Sequence, residues 1–242
     1  MNTTENIERT KIYNKRARIY PSIVSMIIPC ILCCMIVYNS DLLKRLNSMC
    51  KLITAIVPSA LIISAIGYFM REIFRATSKV VIQTPMYKSI ETYFPTTEFL
   101  LWKNNHYSMQ TYNQLKDKIY KDFKIKLATK ESEAKNEENA RKLIAEAVKR
   151  IRDVTRDNVI LFENNCSFGF FRNFLGGNLW AIFFTTIILI VDYFKKSLPL
   201  YYFIIGVAIE IFLFFLVFLL MKVTANAYAN KLYTVYLETD VS

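Results

Sequence analysis

Between Arg172 and Asp192 the chain runs for nineteen residues without a charge, and from Leu198 to Met221 for twenty-four with only Glu210. A helix needs about 20 predominantly apolar residues to cross a hydrocarbon core, where the backbone must satisfy its own hydrogen bonds. The two runs, joined by Lys195-Lys196-Ser197, therefore read as a pair of membrane spans. The segment just before them differs. Leu161 to Arg172 is polar and rich in asparagine and phenylalanine, so the polypeptide passes from protein and water into lipid near Arg172. Gly169 and the triplet Gly176-Gly177-Asn178 read as turn residues at that junction. Trp180 falls where an amphipathic ring favours the interface.

Two earlier runs have the same character. Tyr20 to Tyr38 is uncharged and bounded by tyrosines, with Pro29 placed to kink it. Cys30, Cys33 and Cys34 share one face of that helix and read as small packing hydrophobes. Leu52 to Met70 contains Pro58, Ser59, Ser64 and Gly67, small residues that serve close helix packing or, alternatively, line a water-filled path. The expected fold is an all-α membrane protein: four transmembrane helices in two hairpins, with a mainly helical cytoplasmic domain between them. The divisions fall at 1–19 (tail), 20–72 (first hairpin), 73–172 (middle domain), 173–222 (second hairpin) and 223–242 (C-terminal helix). A chain that is 53% hydrophobic yet 21% charged fits such alternating blocks. Ile7, Ile12 and Tyr13 leave the tail open between a short amphipathic helix on the membrane and a solvated arm. With about twenty polar residues before the first span and no small-residue cleavage site, no cleavable signal is expected.

Charge sets the orientation. Twelve lysines and arginines lie in the tail and on the flanks that share its side, against five in the two hairpin loops. By the positive-inside rule both termini and the middle domain are cytoplasmic in a multi-pass membrane protein. Part of the net charge of +11 is thus explained by topology, and alone it is weak support for a polyanionic partner. The cysteines and the lone His106 form no metal spacing, and no metal or cofactor is expected.

The middle segment, 73–172, holds eighteen basic and twelve acidic residues, a net charge of +6. Tyr112, Leu115, Ile119 and Phe123 recur at helical spacing. Ala140, Leu143, Ile144, Ala147, Ile151 and Val154 do so again, with Lys142, Glu146, Lys149, Arg150 and Asp153 on the opposite face. The acidic stretch from Lys130 to Asn139 reads as solvated. Ser78 to Ile82 is too short to separate a strand from a helical turn. Past Met221, Ala225, Tyr228, Ala229, Leu232 and Tyr236 continue the helical period, with packing on the middle domain as their default role. The segment holds no Ser-His pair, no Gly-rich phosphate loop and no catalytic cluster of carboxylates, so an enzyme is not expected.

Two stretches resemble a known family. The first is Pro95-Thr96-Thr97 followed by Leu100-Leu101-Trp102-Lys103-Asn104-Asn105. The second is Leu161-Phe162-Glu163-Asn164-Asn165, Phe168-Gly169-Phe170, Arg172-Asn173 and Leu175-Gly176, just before the third span. Together with the helical spacer and the four-span layout they are similar to the membrane effectors of bacterial anti-phage operons that also encode a nucleotidyltransferase, as in the Hailong system. The resemblance covers about residues 90 to 178. It implies a homo-oligomeric ion channel, a tetramer favoured, that depolarises the cell and is held shut by the partner enzyme's single-stranded DNA product.

Glu210 stands out on physical grounds alone. A carboxylate at a bilayer centre costs roughly 2.5 to 3.5 kcal/mol on insertion scales, so it must find water, a partner or a proton. One reading is a ring of Glu210 side chains lining a cation path, with Gly206, Leu213, Val217 and Thr224 on the same face. The other is a neutral acid bonded to Thr185, Thr186 or a serine of the second span. Phe212, Phe214, Phe215 and Phe218 face lipid, pack, or form a gate. Lys116, Lys118, Lys121, Lys124 and Lys126, interleaved with Tyr112, Tyr120 and Phe123, suit nucleic-acid binding by phosphate contact and stacking, or simply a solvated helix face. Lys116, Tyr120, Lys121 and Lys124 are the ligand candidates, with Arg172 as an interface marker or coupling residue. Outside the channel reading, a membrane-anchored scaffold without conduction is the alternative. A secondary transporter ranks third, because two hairpins are few for inverted repeats.

Overall fold

The computed structural model describes residues 3–39, 59–88 and 91–240, and every regular element among them is helical. The helices are α1 (Thr3–Asn14), α2 (Tyr20–Ser25), α3 (Ile27–Asn39), α4 (Ser59–Thr77), α5 (Thr84–Tyr87), α6 (Pro95–Glu98), α7 (Met109–Phe123), α8 (Lys130–Lys135), α9 (Glu137–Val154), α10 (Val159–Lys195) and α11 (Leu200–Glu238). Widened π-helical turns at Lys15–Ile19 and Ser78–Gln83 follow α1 and α4. Among the described residues three helical stretches are long and apolar enough to cross a membrane: Glu5–Asn39, Val159–Lys195 and Leu200–Glu238. The first seven residues of the expected second span, 52–58, lie outside the described residues, and α4 carries the remainder as helix.

Local chemistry explains the boundaries. The Asn158 side chain opens α10 by accepting from the amides of Ile160 and Leu161, at 3.0 and 3.1 Å. At its far end Lys196 turns left-handed, with φ of 51°. Asp192 then accepts from the amides of Ser197 and Leu198, both at 3.1 Å, which closes the tight turn into α11. Pro29 has no amide to offer the Ser25 carbonyl, and the first run breaks one residue later at Met26, whose φ and ψ are −91° and 0°. This is the kink its sequence predicts.

The chain divides into two compact units. The apolar unit comprises residues 9–82 and 169–220. Its core includes Leu32, Ile36, Leu198 and Phe203, where the first run meets the second hairpin. The glycines expected to turn the chain do not turn it, because α10 runs unbroken through all three. They are contact points instead. A Cβ at Gly176 would collide with the Phe74 carbonyl oxygen, and one at Gly177 with the Ser25 hydroxyl. One at Gly169 would come within 2.8 Å of the Ala17 methyl and 2.9 Å of the Tyr13 hydroxyl. Small residues let helix backbones approach closely in lipid, where no hydrophobic force drives them together. Cys30, Cys33 and Cys34, read as packing residues, are all exposed among the described residues.

The polar unit comprises residues 1–8, 83–168 and 221–242. Tyr112, Leu115 and Ile119 of α7 meet Ile144, Ala147 and Ile151 of α9, as their periods predict. Leu232, Tyr233 and Tyr236 of α11 complete that core, so the end of the last helix belongs to this unit. Residues 130–139 are mostly exposed, in keeping with their solvated reading, and Glu133 is the exception. Glu133 is 4% exposed, and its two oxygens accept from the amides of Trp102 and Lys103, each at 3.0 Å. The 3₁₀ turn that starts at Trp102 has amides with no partner within the turn, and a carboxylate two helices later in sequence supplies one.

The glycine contacts give a direct test. Gly176→Ala must displace backbone and should cost about 1–3 kcal/mol, read as a lower unfolding temperature in detergent. Gly67→Ala, which meets no atom within 4 Å, should leave that temperature unchanged or raise it slightly.

Candidate functional site

Within the apolar stretches of α10 and α11 the polar side chains are few, and several are buried together. Asn178, Thr185 and Asp192 recur every seven residues on one face of α10 and are 1%, 0% and 2% exposed. Two helical turns separate each pair, about 10 Å along the axis. Glu210 of α11 is fully buried against this row, where its Oε1 accepts from the Thr185 hydroxyl at 2.8 Å. Thr186, the other threonine considered as its partner, is exposed and bonds back to the Ile182 carbonyl at 2.8 Å. Two acceptors in the row, Glu210 Oε2 and Asn178 Oδ1, are buried with no hydrogen-bond partner among the described residues.

The face of α11 that carries Glu210 packs inside the chain. A Cβ at Gly206 would touch Ile28 and Leu32 of α3 at 3.3 and 3.4 Å. Val217 is buried, Leu213 is half-buried, and Thr224 donates to the Met221 carbonyl at 3.0 Å. Phe212 and Phe215 point outward, Phe214 and Phe218 are half-buried, and the last two stack on each other.

At one end of the apolar unit four cations converge. Arg18 lies over the Tyr13 ring at 5.6 Å, and burial, then the charges of Arg75 and Arg18, hold the Arg172 guanidinium below its usual range, opposed by Tyr13. Arg75 reaches Glu72 at 3.3 Å, a carboxylate it shares with Arg71. Lys79 is held below its usual range by burial and then by the charges of Arg75, Arg172 and Arg18. Close helix packing underlies the cluster: Asn173 donates to the Ala17 carbonyl at 2.5 Å, Ser78 to Asn173 at 3.3 Å, and Trp180 to Thr77 at 2.9 Å.

In the polar unit the lysine run divides. Lys116 sits over Trp102 at 5.8 Å, and Lys118 pairs with Asp122 and covers Tyr236. Tyr120, Lys121 and Lys124 remain exposed together, with Lys124 over the Tyr120 ring at 5.9 Å. Arg172 belongs to the other unit, so the five ligand candidates are not gathered within one. A cavity of about 260 Å³ in the polar unit was not foreseen. Its lining includes Glu91, Pro95, Thr96, Arg152, Asn165 and Tyr228. Pro95-Thr96 and Asn165 come from the two stretches on which the family resemblance rests. Arg152 spans the cavity wall, donating to Glu91 at 3.0 Å and to Thr96 at 3.3 Å.

Arg141 was also missed. It lies in the apolar stripe of α9, where its guanidinium is buried by Glu98 at 2.6 Å, Glu137 at 2.7 Å and the Tyr93 ring at 4.5 Å. Nothing in the helical period marks an inward arginine, since its carboxylate partner Glu98 is 43 residues away. Comparison with protein-family models, curated proteins and solved structures finds no match.

The Thr185–Glu210 bond predicts an asymmetry. Thr185→Val strands a buried carboxyl and should cost about 1–3 kcal/mol, whereas Thr185→Val with Glu210→Met removes both partners and should recover most of it. Thermal unfolding of the two detergent-solubilised variants measures the difference.

Proposed function

We propose that this chain is the subunit of a gated ion channel that crosses the bacterial inner membrane four times, with both termini cytoplasmic. The observation that carries the reading is the buried polar group of Asn178, Thr185 and Glu210 within apolar stretches of α10 and α11, with two acceptor oxygens, Asn178 Oδ1 and Glu210 Oε2, that have no partner among the described residues. Burying a polar oxygen unpaired costs free energy that an apolar side chain would not. An ionisable residue kept in such a place is by default functional, and acceptor oxygens along a helix suit a cation or proton path. The conducting form is a homo-oligomer, a tetramer favoured, since a single copy is small to enclose water.

The polar unit is the natural receiver of a gating signal. Tyr120, Lys121 and Lys124 offer an exposed stacking ring beside two cations, a pairing that suits a nucleotide or single-stranded DNA. The resemblance in the primary structure points to a nucleotidyltransferase as the source of that ligand and to anti-phage defence as the setting. One specific observation favours a second reading, a membrane-anchored scaffold: the Thr185–Glu210 bond is also what a protonated packing residue would make.

Conduction separates the two. Purified protein in a planar bilayer should pass cation current, and its expression without the partner should depolarise cells. Glu210→Gln should lower both while assembly persists. Current and toxicity unchanged in Glu210→Gln remove Glu210 from the path, and a silent wild type removes the channel. Orientation is tested by single cysteines at Ser48 and Ser242, both outside the described residues: an impermeant thiol reagent added to whole cells should label the first and spare the second.

A further inference from the structure

We infer that the cavity lined by Glu91, Phe94, Thr96, Arg152, Asn165 and Tyr228 is a binding site for a free amino acid with an apolar side chain. Its lining residues all belong to the polar unit and come from the 91–96 segment, α9, α10 and α11. The charged pair on that lining joins positions 61 residues apart in the chain, with Arg152 on Glu91 at 3.0 Å.

The walls are set before any ligand arrives. The Glu91 carbonyl accepts from the Thr97 hydroxyl at 2.8 Å and from the Phe94 amide at 3.2 Å. Phe94 stacks on Tyr87, with ring centroids 4.9 Å apart. The Thr96 carbonyl accepts from the buried Tyr233 hydroxyl, and the Thr96 hydroxyl accepts from Arg152 at 3.3 Å. A site whose groups are already placed loses little ordering entropy on binding. Its volume of about 260 Å³ falls just under the roughly 300–1,000 Å³ of sites for drug-sized molecules, so the occupant is one small metabolite.

Charge then narrows the class. Glu91 and Arg152 stand side by side, and the pair is neutral as a whole. A lone anion brought to Arg152 meets the Glu91 carboxylate, and a lone cation brought to Glu91 meets the guanidinium. A molecule with an ammonium and a carboxylate on one carbon offers each residue its opposite. Both residues have bonding capacity for it. The Arg152 Nε–H is buried with no acceptor among the described residues, in addition to the N–H groups placed on Glu91 and Thr96. The Glu91 side chain is more than half exposed and holds Arg152 through one oxygen, Oε1. The rings of Phe94, Phe168 and Tyr228 share the lining and suit an apolar side chain. The site uses none of the α7 residues and needs no conduction, so it stands or falls apart from the channel reading.

Isothermal titration of the full chain in detergent micelles, with L-leucine and L-phenylalanine, tests it. Wild type should bind at least one of the two. It should bind hydrocinnamate and phenethylamine, phenylalanine analogues that each lack one charge, roughly ten- to a hundredfold more weakly than the better amino acid. Glu91→Gln, a change at an exposed position, should lower the amino acid's affinity and leave that for hydrocinnamate unchanged or raised. Lys124→Gln, on α7, should behave as wild type. The site is overturned if wild type binds neither amino acid, if either analogue binds as tightly, if Glu91→Gln has no effect, or if Lys124→Gln loses as much. Guanosine binding to wild type with an affinity that Glu91→Gln lowers, while neither amino acid binds, would give the cavity to a nucleobase and overturn the assignment.

Discussion

The close approach of α10 to α4 is the contact on which the apolar unit depends. Gly176 lies against the Phe74 backbone with no room for a methyl group. That approach puts Asn173 within reach of Ser78 and Trp180 within reach of Thr77. The same helix, through Gly177 and Gly169, accepts Ser25 and Ala17 of the first run. In lipid such packing must come from van der Waals contact and hydrogen bonds between helices, and glycine is the residue that makes both available. The convergence of Arg18, Arg75 and Arg172 follows from it, because each lies within a few residues of one of these contacts.

Buried polar groups in the polar unit tie distant segments together: Glu133 holds two backbone amides, and Arg141 joins two carboxylates and a carbonyl. Removing one partner there would leave the other stranded, so these networks fix the 91–104 segment against α8 and α9. In the apolar unit Glu210 Oε2 and Asn178 Oδ1 are buried with no partner among the described residues.

Much of the fold was legible because hydrophobic period is a strong signal over long elements. The faces of α7 and α9, the apolar runs of α10 and α11 and the break upstream of Pro29 all follow from it. Glycine was the main source of error. Gly169, Gly176 and Gly177 look the same in a sequence whether they turn a chain or admit a neighbour, and only the position of Phe74 and Ser25 decides. Glu133 failed for a related reason. A carboxylate in an acidic run reads as solvated unless its distant acceptance of the Trp102 and Lys103 amides is known. Glu210 was found because charge in an apolar span is conspicuous, and Thr185 was among the partners weighed. The cavity around Arg152 left no local trace, since its lining is drawn from four separated stretches.

The division of α11 between the two units bears on how the protein is made. Its residues up to Leu220 belong to the apolar unit, while Leu232, Tyr233 and Tyr236 fill the core that α7 and α9 build. On the ribosome, residues 83–168 emerge long before that filling exists. Their core, begun by Leu115, Ile119 and Ile151, stays incomplete until Leu232, Tyr233 and Tyr236 have been synthesised. Completion of the polar unit is thus a late event tied to the translation of residues 221–240. A chain interrupted in that interval would carry all its apolar segments and an unfinished polar unit, a species that cellular proteases are suited to recognise.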